Sequence, residues 1–240
     1  MATEVLYPMV YSADMEISIV QGNKKLGSGV FAFNLLPGDE PLSVKTKGVL
    51  TNIRGTCTGC CSGCVNDCYA VRDAKRYHNT CIPSLSKNTL IMRNDIEKMF
   101  AQLENQLVKR KAKVLRWHSA GEIESFDYLR RMVALAEKLD NVKFYCYTKR
   151  FNFVQQYLNE HKTFPNNFTV NISVWNGNDE GYDFGGLNKF VYDDGSDPEV
   201  TKMFHCKAVA PNGKSTGLTC DKCGRCFNGN RGLITAVYAH

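Results

Sequence analysis

The chain has 240 residues, 43% hydrophobic and 22% charged, with a formal net charge of +6. That length supports one sizeable core, and no apolar run approaches the roughly 20 residues of a membrane span, so no membrane association is expected. The opening MATEVLYPMVYSADMEISIV lacks the basic stretch of a signal peptide, so a cytoplasmic location with reduced thiols is expected, and the mild positive charge permits a nucleic acid or nucleotide partner without demanding one.

Residues 1–55 read as β-rich. MEISIV alternates, QGNKKLGSG supplies turn residues and VFAFNLL returns as an apolar run, which together suggest an N-terminal β-hairpin region. PGDEP breaks the pattern, and a Thr/Lys-rich connector leads into a cysteine loop at 56–70. From residue 84 to 111 one helix is predicted. Ser84 is its N-cap, and Leu90, Ile96, Met99, Phe100, Leu103 and Leu107 fall near a 3.6 period. The basic run KRKAK at 109–113 reads as its solvated end.

KVLRW, NVKFYCYTK and FTVNISVW then read as strands, separated by the helices FDYLRRMVALAEKL and RFNFVQQYLNEH. These βα units, spanning 84–175, predict a parallel sheet with right-handed crossovers. The expected fold class is α/β, with a partial (βα) barrel-like parallel sheet. Functional groups belong at the carboxyl edge of such a sheet. HSAGE at 118–122, YTK at 147–149 and SVWNGN at 173–178 follow the strands there. Residues 176–200 are Gly- and Asp-rich and read as a loop or lid. The expected organisation is a single α/β domain over 1–205, with a cysteine-rich metal-binding segment, 206–240, packed on it.

Eleven cysteines are the outlier. An odd number in a reducing compartment argues against a disulfide framework. Cys81 and Cys146 stand alone, and Cys146 reads as a small buried apolar residue. Cys220-x2-Cys223-x2-Cys226, joined by Cys206, offers four soft ligands. An iron–sulfur cluster fits that spacing; structural zinc is the alternative. In TCTGCCSGCVNDCYA at 56–70, Cys57, Cys61 and Cys64 stand at C-x3-C-x2-C. Three thiolates on a tight loop can hold three irons of a cubane and leave the fourth open. Cys60, Cys64 and Cys68 form another possible frame. With Cys68 as fourth ligand the site is instead closed, as zinc or an electron-transfer cluster.

The C-x3-C-x2-C spacing is the signature of radical-SAM enzymes, in which the open iron chelates S-adenosylmethionine. There the next strand ends in a Gly-Gly-Glu-like turn. Here KVLRW ends in Ser119-Ala120-Gly121-Glu122, with Ala120 in place of a glycine. Glycine lets a ligand approach the backbone and a carboxylate can pair with an ammonium; Glu122 as a cap of the following helix is the plain alternative.

KLGSGVFAFNLLPG, GTCTGCCSGCVNDCYAVR, NTLIMR, HSAGEIES, FYCYTK and CDKCGRC, in this order, resemble a phage- and plasmid-associated family of cysteine-rich proteins, the gene product 88-like proteins. That family itself looks like a compact relative of radical-SAM barrels. The resemblance implies an iron–sulfur protein with one or two [4Fe-4S] clusters and bound S-adenosylmethionine. It implies that Cys57, Cys61 and Cys64 ligate a site-differentiated cluster, with Cys68 a fourth ligand or a spare. Gly121 and Glu122 would meet the methionyl group, with Ser119 a further cofactor-binding residue. Arg116 and His118 would lie at the sheet edge, Lys149 would face the site from the next strand end, and Asn171 and Ser173 would reach a ribose. Glu122, His118 and Lys149 are the candidate catalytic residues. An enzyme of this kind would need a reductant protein such as a flavodoxin or ferredoxin. The chain departs from a full radical-SAM core in having only three clear βα steps.

Overall fold

The computed structural model describes residues 6–238. Residues 1–5 and 239–240, the outer ends of the expected 1–205 and 206–240 divisions, lie outside the described residues. In chain order the first strands are β1 (Tyr7–Pro8), β2 (Ile19–Gln21), β3 (Val30–Phe33), β4 (Pro41–Thr46) and β5 (Val49–Arg54). Four helices follow: α1 (Ser62–Asn66), α2 (Tyr69–Arg76), α3 (His78–Asn94) and α4 (Ile96–Lys109). Then come β6 (Val114–Trp117), α5 (Phe126–Lys138), β7 (Lys143–Thr148), α6 (Phe151–His161) and β8 (Phe168–Val174). The chain closes with β9 (Asn188–Asp193), α7 (Pro198–Thr201), α8 (Cys220–Cys223) and β10 (Ile234–Tyr238). The fold is mixed α/β with strands at its N-terminal end and a parallel-rich sheet. Among the described residues no helix is long and apolar enough to cross a membrane.

The chain forms two compact units. The first comprises residues 6–19, 33–110 and 118–124. Its three-stranded sheet has the order β1-β5-β4, with β4 and β5 antiparallel. The segment expected to be a connector is therefore a hairpin. Its two-residue turn places Lys47 at φ 50° and Gly48 at φ 77°, the left-handed pair that matches the twist of the strands. Leu42 and Val44 of β4 alternate with exposed residues and pack with Leu36, Ala74 and Ile82 in one core cluster of this unit.

The single helix expected over 84–111 is two. Asp95 breaks it at φ −153°, and its Oδ1 accepts the Lys98 N–H at 3.0 Å, capping α4. The first helix begins at His78, so Ser84 is interior rather than an N-cap. The helix runs through Pro83 although proline removes a backbone donor; burial of Ile82 in the core favours continuing it. In α4 the expected face holds, with Met99, Leu103 and Leu107 buried.

The second unit comprises residues 20–32, 111–117 and 125–238. It is built on the seven-stranded sheet β10-β9-β8-β7-β6-β3-β2. Every adjacent pair from β6 to β10 is parallel. All seven residues of β8 are buried, as expected for a central strand covered on both faces. Trp117 stacks on Phe144, and Phe144 on Phe168, with ring centroids 6.4 and 6.5 Å apart. Cys146 is fully buried in β7.

The loop expected at 176–200 contains β9, paired between β8 and β10, and the short helix α7. Phe190, Val191 and Tyr192 give this stretch strand character. The Gly/Asp-rich residues on either side hid it, and its partner β10 is distant in sequence.

Candidate functional site

Nine of the eleven cysteines fall into two sequence groups, one in each unit. In the first unit β5 ends at Arg54, and Gly55 passes close to the backbone of residues 37–38. A Cβ at Gly55 would stand 2.2 Å from the Gly38 oxygen and 2.4 Å from that of Pro37, so the approach requires glycine. Thr56 is fully buried; its N–H and Oγ1 both donate to the Leu36 carbonyl, at 2.9 and 3.1 Å. The Cys57 N–H donates to the Gly38 oxygen at 3.0 Å. The chain then turns at Gly59. Cys61 occupies the N-cap position of α1, Cys64 lies within that helix, and Cys68 precedes α2.

The turn at 118–122 is held against the segment following β3. His118 N–H donates to the Phe33 oxygen at 2.9 Å, Leu35 N–H to the Ala120 oxygen at 3.0 Å, and Ser119 N–H to Asn34 Oδ1 at 2.7 Å. His118 is buried with φ 58°. The Tyr69 hydroxyl donates to the Ser119 carbonyl at 2.6 Å. Ser119 Oγ is buried and has no hydrogen-bond partner among the described residues.

Gly121 has φ 89°, and a Cβ there would meet Leu35 Cβ at 2.7 Å and Thr56 Oγ1 at 2.9 Å. The close approach this glycine permits is thus to the protein's own Leu35 and Thr56. Glu122 is buried; its N–H donates to Thr56 Oγ1 at 2.9 Å, and its Oε1 accepts the Ile123 N–H at 2.8 Å. It does not cap the following helix: Ser125 does, accepting the Tyr128 N–H at 3.1 Å.

Burial drives the Cys57 thiol far above its ordinary pKa, and the Glu122 carboxylate pushes it further, with Cys60 and Cys68 adding to the effect. Glu122, Cys57, Cys60 and Cys68 therefore share one electrostatic neighbourhood. Cys61 and Cys64 of the C-x3-C-x2-C frame are carried by α1 and its cap. Thr56, which joins the loop to the Glu122 turn, was not among the sequence candidates; its place directly before Cys57 was the available signal.

The second centre lies within the second unit. Cys220 and Cys223 form the single turn of α8, which Gly224 ends at φ 68°, and Cys226 falls in the 3-10 turn Arg225–Phe227. Cys220 and Asp221 donate their N–H groups to the carbonyls of Lys25 and Leu26, at 2.9 and 3.0 Å. The Cys206 N–H donates to the Ala236 oxygen at 2.8 Å. Burial raises the Cys226 thiol to about 11, against a hydrogen bond donated by the Tyr147 hydroxyl; Cys206, Cys220 and Cys223 push the same way as burial. The Cys220 thiol is also raised by burial, opposed by Arg116 and Lys25. The four thiols thus feel one another's charge, with Arg116 and Lys25 acting on Cys220 and the Tyr147 hydroxyl on Cys226.

Arg116 belongs to this second centre, its guanidinium 4.9 Å above the Tyr147 ring. Asn171 is committed to protein carbonyls, donating from Nδ2 to Cys146 and Cys226, each at 3.0 Å. Lys149 donates to Ser173 Oγ at 2.9 Å and lies 5.4 Å over the Trp175 ring. The three expected edge fragments divide between the units: His118, Ser119, Gly121 and Glu122 go with the loop, Lys149 and Ser173 with the second unit. Lys25 and Tyr147 were not sequence candidates; Lys25 in particular is far from the cysteines along the chain.

All eleven cysteines are free thiols, a donor set suited to a thiophilic ion or an iron–sulfur cluster. Among the described residues no group of three or more His, Cys, Asp or Glu side chains is arranged so that it could hold a metal ion. A single tetrahedral ion draws its sulfurs to about 2.3 Å from one point.

The model of a family described as Gene product 88 matches residues 18–229. No curated protein and no solved structure matches the chain.

Proposed function

The chain belongs to the gene product 88 family, and on that premise we propose that it is an iron–sulfur protein of radical-SAM-like type, acting on a substrate still to be identified. The observation that carries this reading is the buried Glu122, whose N–H is tied at 2.9 Å to the hydroxyl of Thr56, the residue directly before Cys57. A cluster held by Cys57, Cys61 and Cys64 would leave one iron open, and a neighbouring carboxylate is the group that pairs with the ammonium of S-adenosylmethionine. Cys57, Cys61 and Cys64 would hold the cluster, which would supply one-electron reduction of a bound sulfonium. Thr56 would fix Glu122 through its backbone N–H, and Ser119 Oγ, buried and unpaired, would be a further polar contact. The consecutive parallel order of β6 to β10 supports the partial-barrel reading of the second unit. A flavodoxin- or ferredoxin-like protein would deliver the electron.

A second reading is a closed metal centre that staples the fold or carries electrons. Its support is Cys68, which acts on Cys57 directly; as fourth ligand it removes the open iron. Electron paramagnetic resonance on anaerobically purified, dithionite-reduced protein separates the two. A cluster signal that changes when S-adenosylmethionine is added is expected. A signal indifferent to it selects the closed centre. No signal, with zinc found by metal analysis, overturns the iron–sulfur assignment.

A further inference from the structure

We propose that the second unit carries a binding surface for single-stranded nucleic acid, built from residues 20–32, 111–117 and 206–238, with Phe204 as its stacking ring. The surface goes beyond the iron–sulfur reading and does not depend on it. The charge of the chain is unevenly placed. These three segments hold ten Lys and Arg residues against one acidic residue, Asp221, a net +9, while the rest of the chain is net −3. They are distant in sequence and belong to one unit.

Hydrogen bonds tie the segments together. The Cys220 and Asp221 N–H groups donate to the Lys25 and Leu26 carbonyls at 2.9 and 3.0 Å. The Gly29 N–H donates to Asp221 Oδ2 at 3.1 Å, so the one carboxylate is turned onto the turn between β2 and β3. The Lys143 N–H donates to the Lys113 carbonyl at 2.9 Å, and Lys143 Nζ to Asn228 Oδ1 at 2.6 Å. Leu26, Val30, Val114 and Phe227 share one core cluster beneath these contacts. Lys24, Lys113, Lys143 and Lys222 stay exposed on the tied segments. Like charges confined in this way repel one another; a phosphate backbone relieves that repulsion and gains by releasing its own counterions.

An aromatic ring separates nucleic acid from other anionic partners. Phe204 is 43% exposed, with the Arg225 guanidinium 4.1 Å and the Lys207 ammonium 5.8 Å from its centroid. Arg225 is held in place, donating from Nε to Thr235 Oγ1 at 2.9 Å and from Nη2 to the Ile234 carbonyl at 3.2 Å. The turn Arg225–Phe227 joins this ring to the lysines, because the Lys143 ammonium stands 6.0 Å over Phe227. An open ring beside cations stacks a base while the cations meet the flanking phosphates. Bases of a duplex are already stacked on one another, so the arrangement selects a single strand.

The test is fluorescence anisotropy of a fluorescein-labelled oligothymidylate titrated with the full chain at rising salt concentration. Lys24→Gln, Lys113→Gln and Lys222→Gln together are expected to weaken binding about tenfold and to make the slope of log affinity against log salt shallower by about 2, three phosphate contacts at about 0.7 each. Phe204→Leu is expected to weaken binding about tenfold with the slope unchanged. Lys45→Gln, Lys75→Gln and Lys162→Gln together remove the same charge from exposed positions elsewhere and are expected to bind like the parent. Circular dichroism checks that each variant keeps the parent's fold. If the parent does not bind, or the two triple variants lose affinity equally, the inference is overturned. It is also overturned if Phe204→Leu binds like the parent and a duplex of equal length binds as tightly, or if phosphatidylserine vesicles bind and the oligonucleotide does not.

Discussion

Replacing Thr56 with valine keeps the shape of a fully buried side chain and removes one hydroxyl. That hydroxyl donates to the Leu36 carbonyl at 3.1 Å and accepts the Glu122 N–H at 2.9 Å. The two ends differ in consequence. The Leu36 oxygen still receives the Thr56 N–H at 2.9 Å, so its loss is one ordinary hydrogen bond, about 0.5–1.5 kcal/mol. The Glu122 N–H is left buried without this partner, which costs about 1–3 kcal/mol. Thr56→Val is therefore expected to destabilise the protein by about 1.5–4.5 kcal/mol, read by urea denaturation followed by circular dichroism. Thr56→Ser keeps the oxygen and loses one methyl, so it should cost about 1 kcal/mol. Hydrogen exchange at the Glu122 amide should accelerate in the valine variant and stay slow in the serine variant. If Thr56→Val unfolds at the wild-type urea concentration, or Thr56→Ser loses as much as Thr56→Val, the hydroxyl does not anchor the Glu122 turn.

Gly121→Ala places a Cβ 2.7 Å from Leu35 Cβ at φ 89°; overpacking and left-handed strain together should cost roughly 2–4 kcal/mol, measured by the same denaturation. Asn167 donates from Nδ2 to the carbonyls of Ala136 and Val142 at 2.8 and 2.9 Å, with Leu139 at 3.2 Å. Asn167→Asp turns a carboxylate toward these oxygens and should lower the melting temperature more than Asn167→Ala; the reverse order would remove Asn167 as the tie between α5 and β7. Burial raises the Asp193 carboxyl, but the hydrogen bond and charge of His205 and the Gly195 N–H outweigh it, and the net shift is downward. A depressed carboxyl stabilises the fold above its unfolded value of about 3.9, and that contribution is lost as pH falls through the folded value. The stability gap between wild type and Asp193→Asn should thus be full at neutral pH and close below about pH 4; a gap that persists at pH 2 would contradict this.

Residues 114–174 were legible because their signals are local. VLRW, FDYLRRMVALAEK, KFYCYT, FNFVQQYLNEH and FTVNISV each carry an apolar period of their own, bounded by turn or cap residues. The break at Asp95 was written in the chain as a residue able to accept the Lys98 N–H, but the apolar period runs across it and masks the cap. The β4–β5 hairpin was hidden because its turn is Lys-Gly, where the strong sequence signal is Asn-Gly or Asp-Gly.

The cysteine clusters, their freedom from an even disulfide count, and the turn after β6 are properties of spacing, and the sequence alone determined that two groups of thiols and one Ser-Ala-Gly-Glu turn exist. Which groups meet was decided only by tertiary structure. Thr56 couples the cysteine loop to Glu122 across 66 residues of chain. Lys25, Arg116 and Tyr147 come to the C-terminal thiols from separate parts of the second unit. The order of β9 and β10 likewise depends on pairing between distant segments. Such contacts gain their energy from burial and hydrogen bonds between segments, paid for in loop-closure entropy, and no local pattern of residues records them.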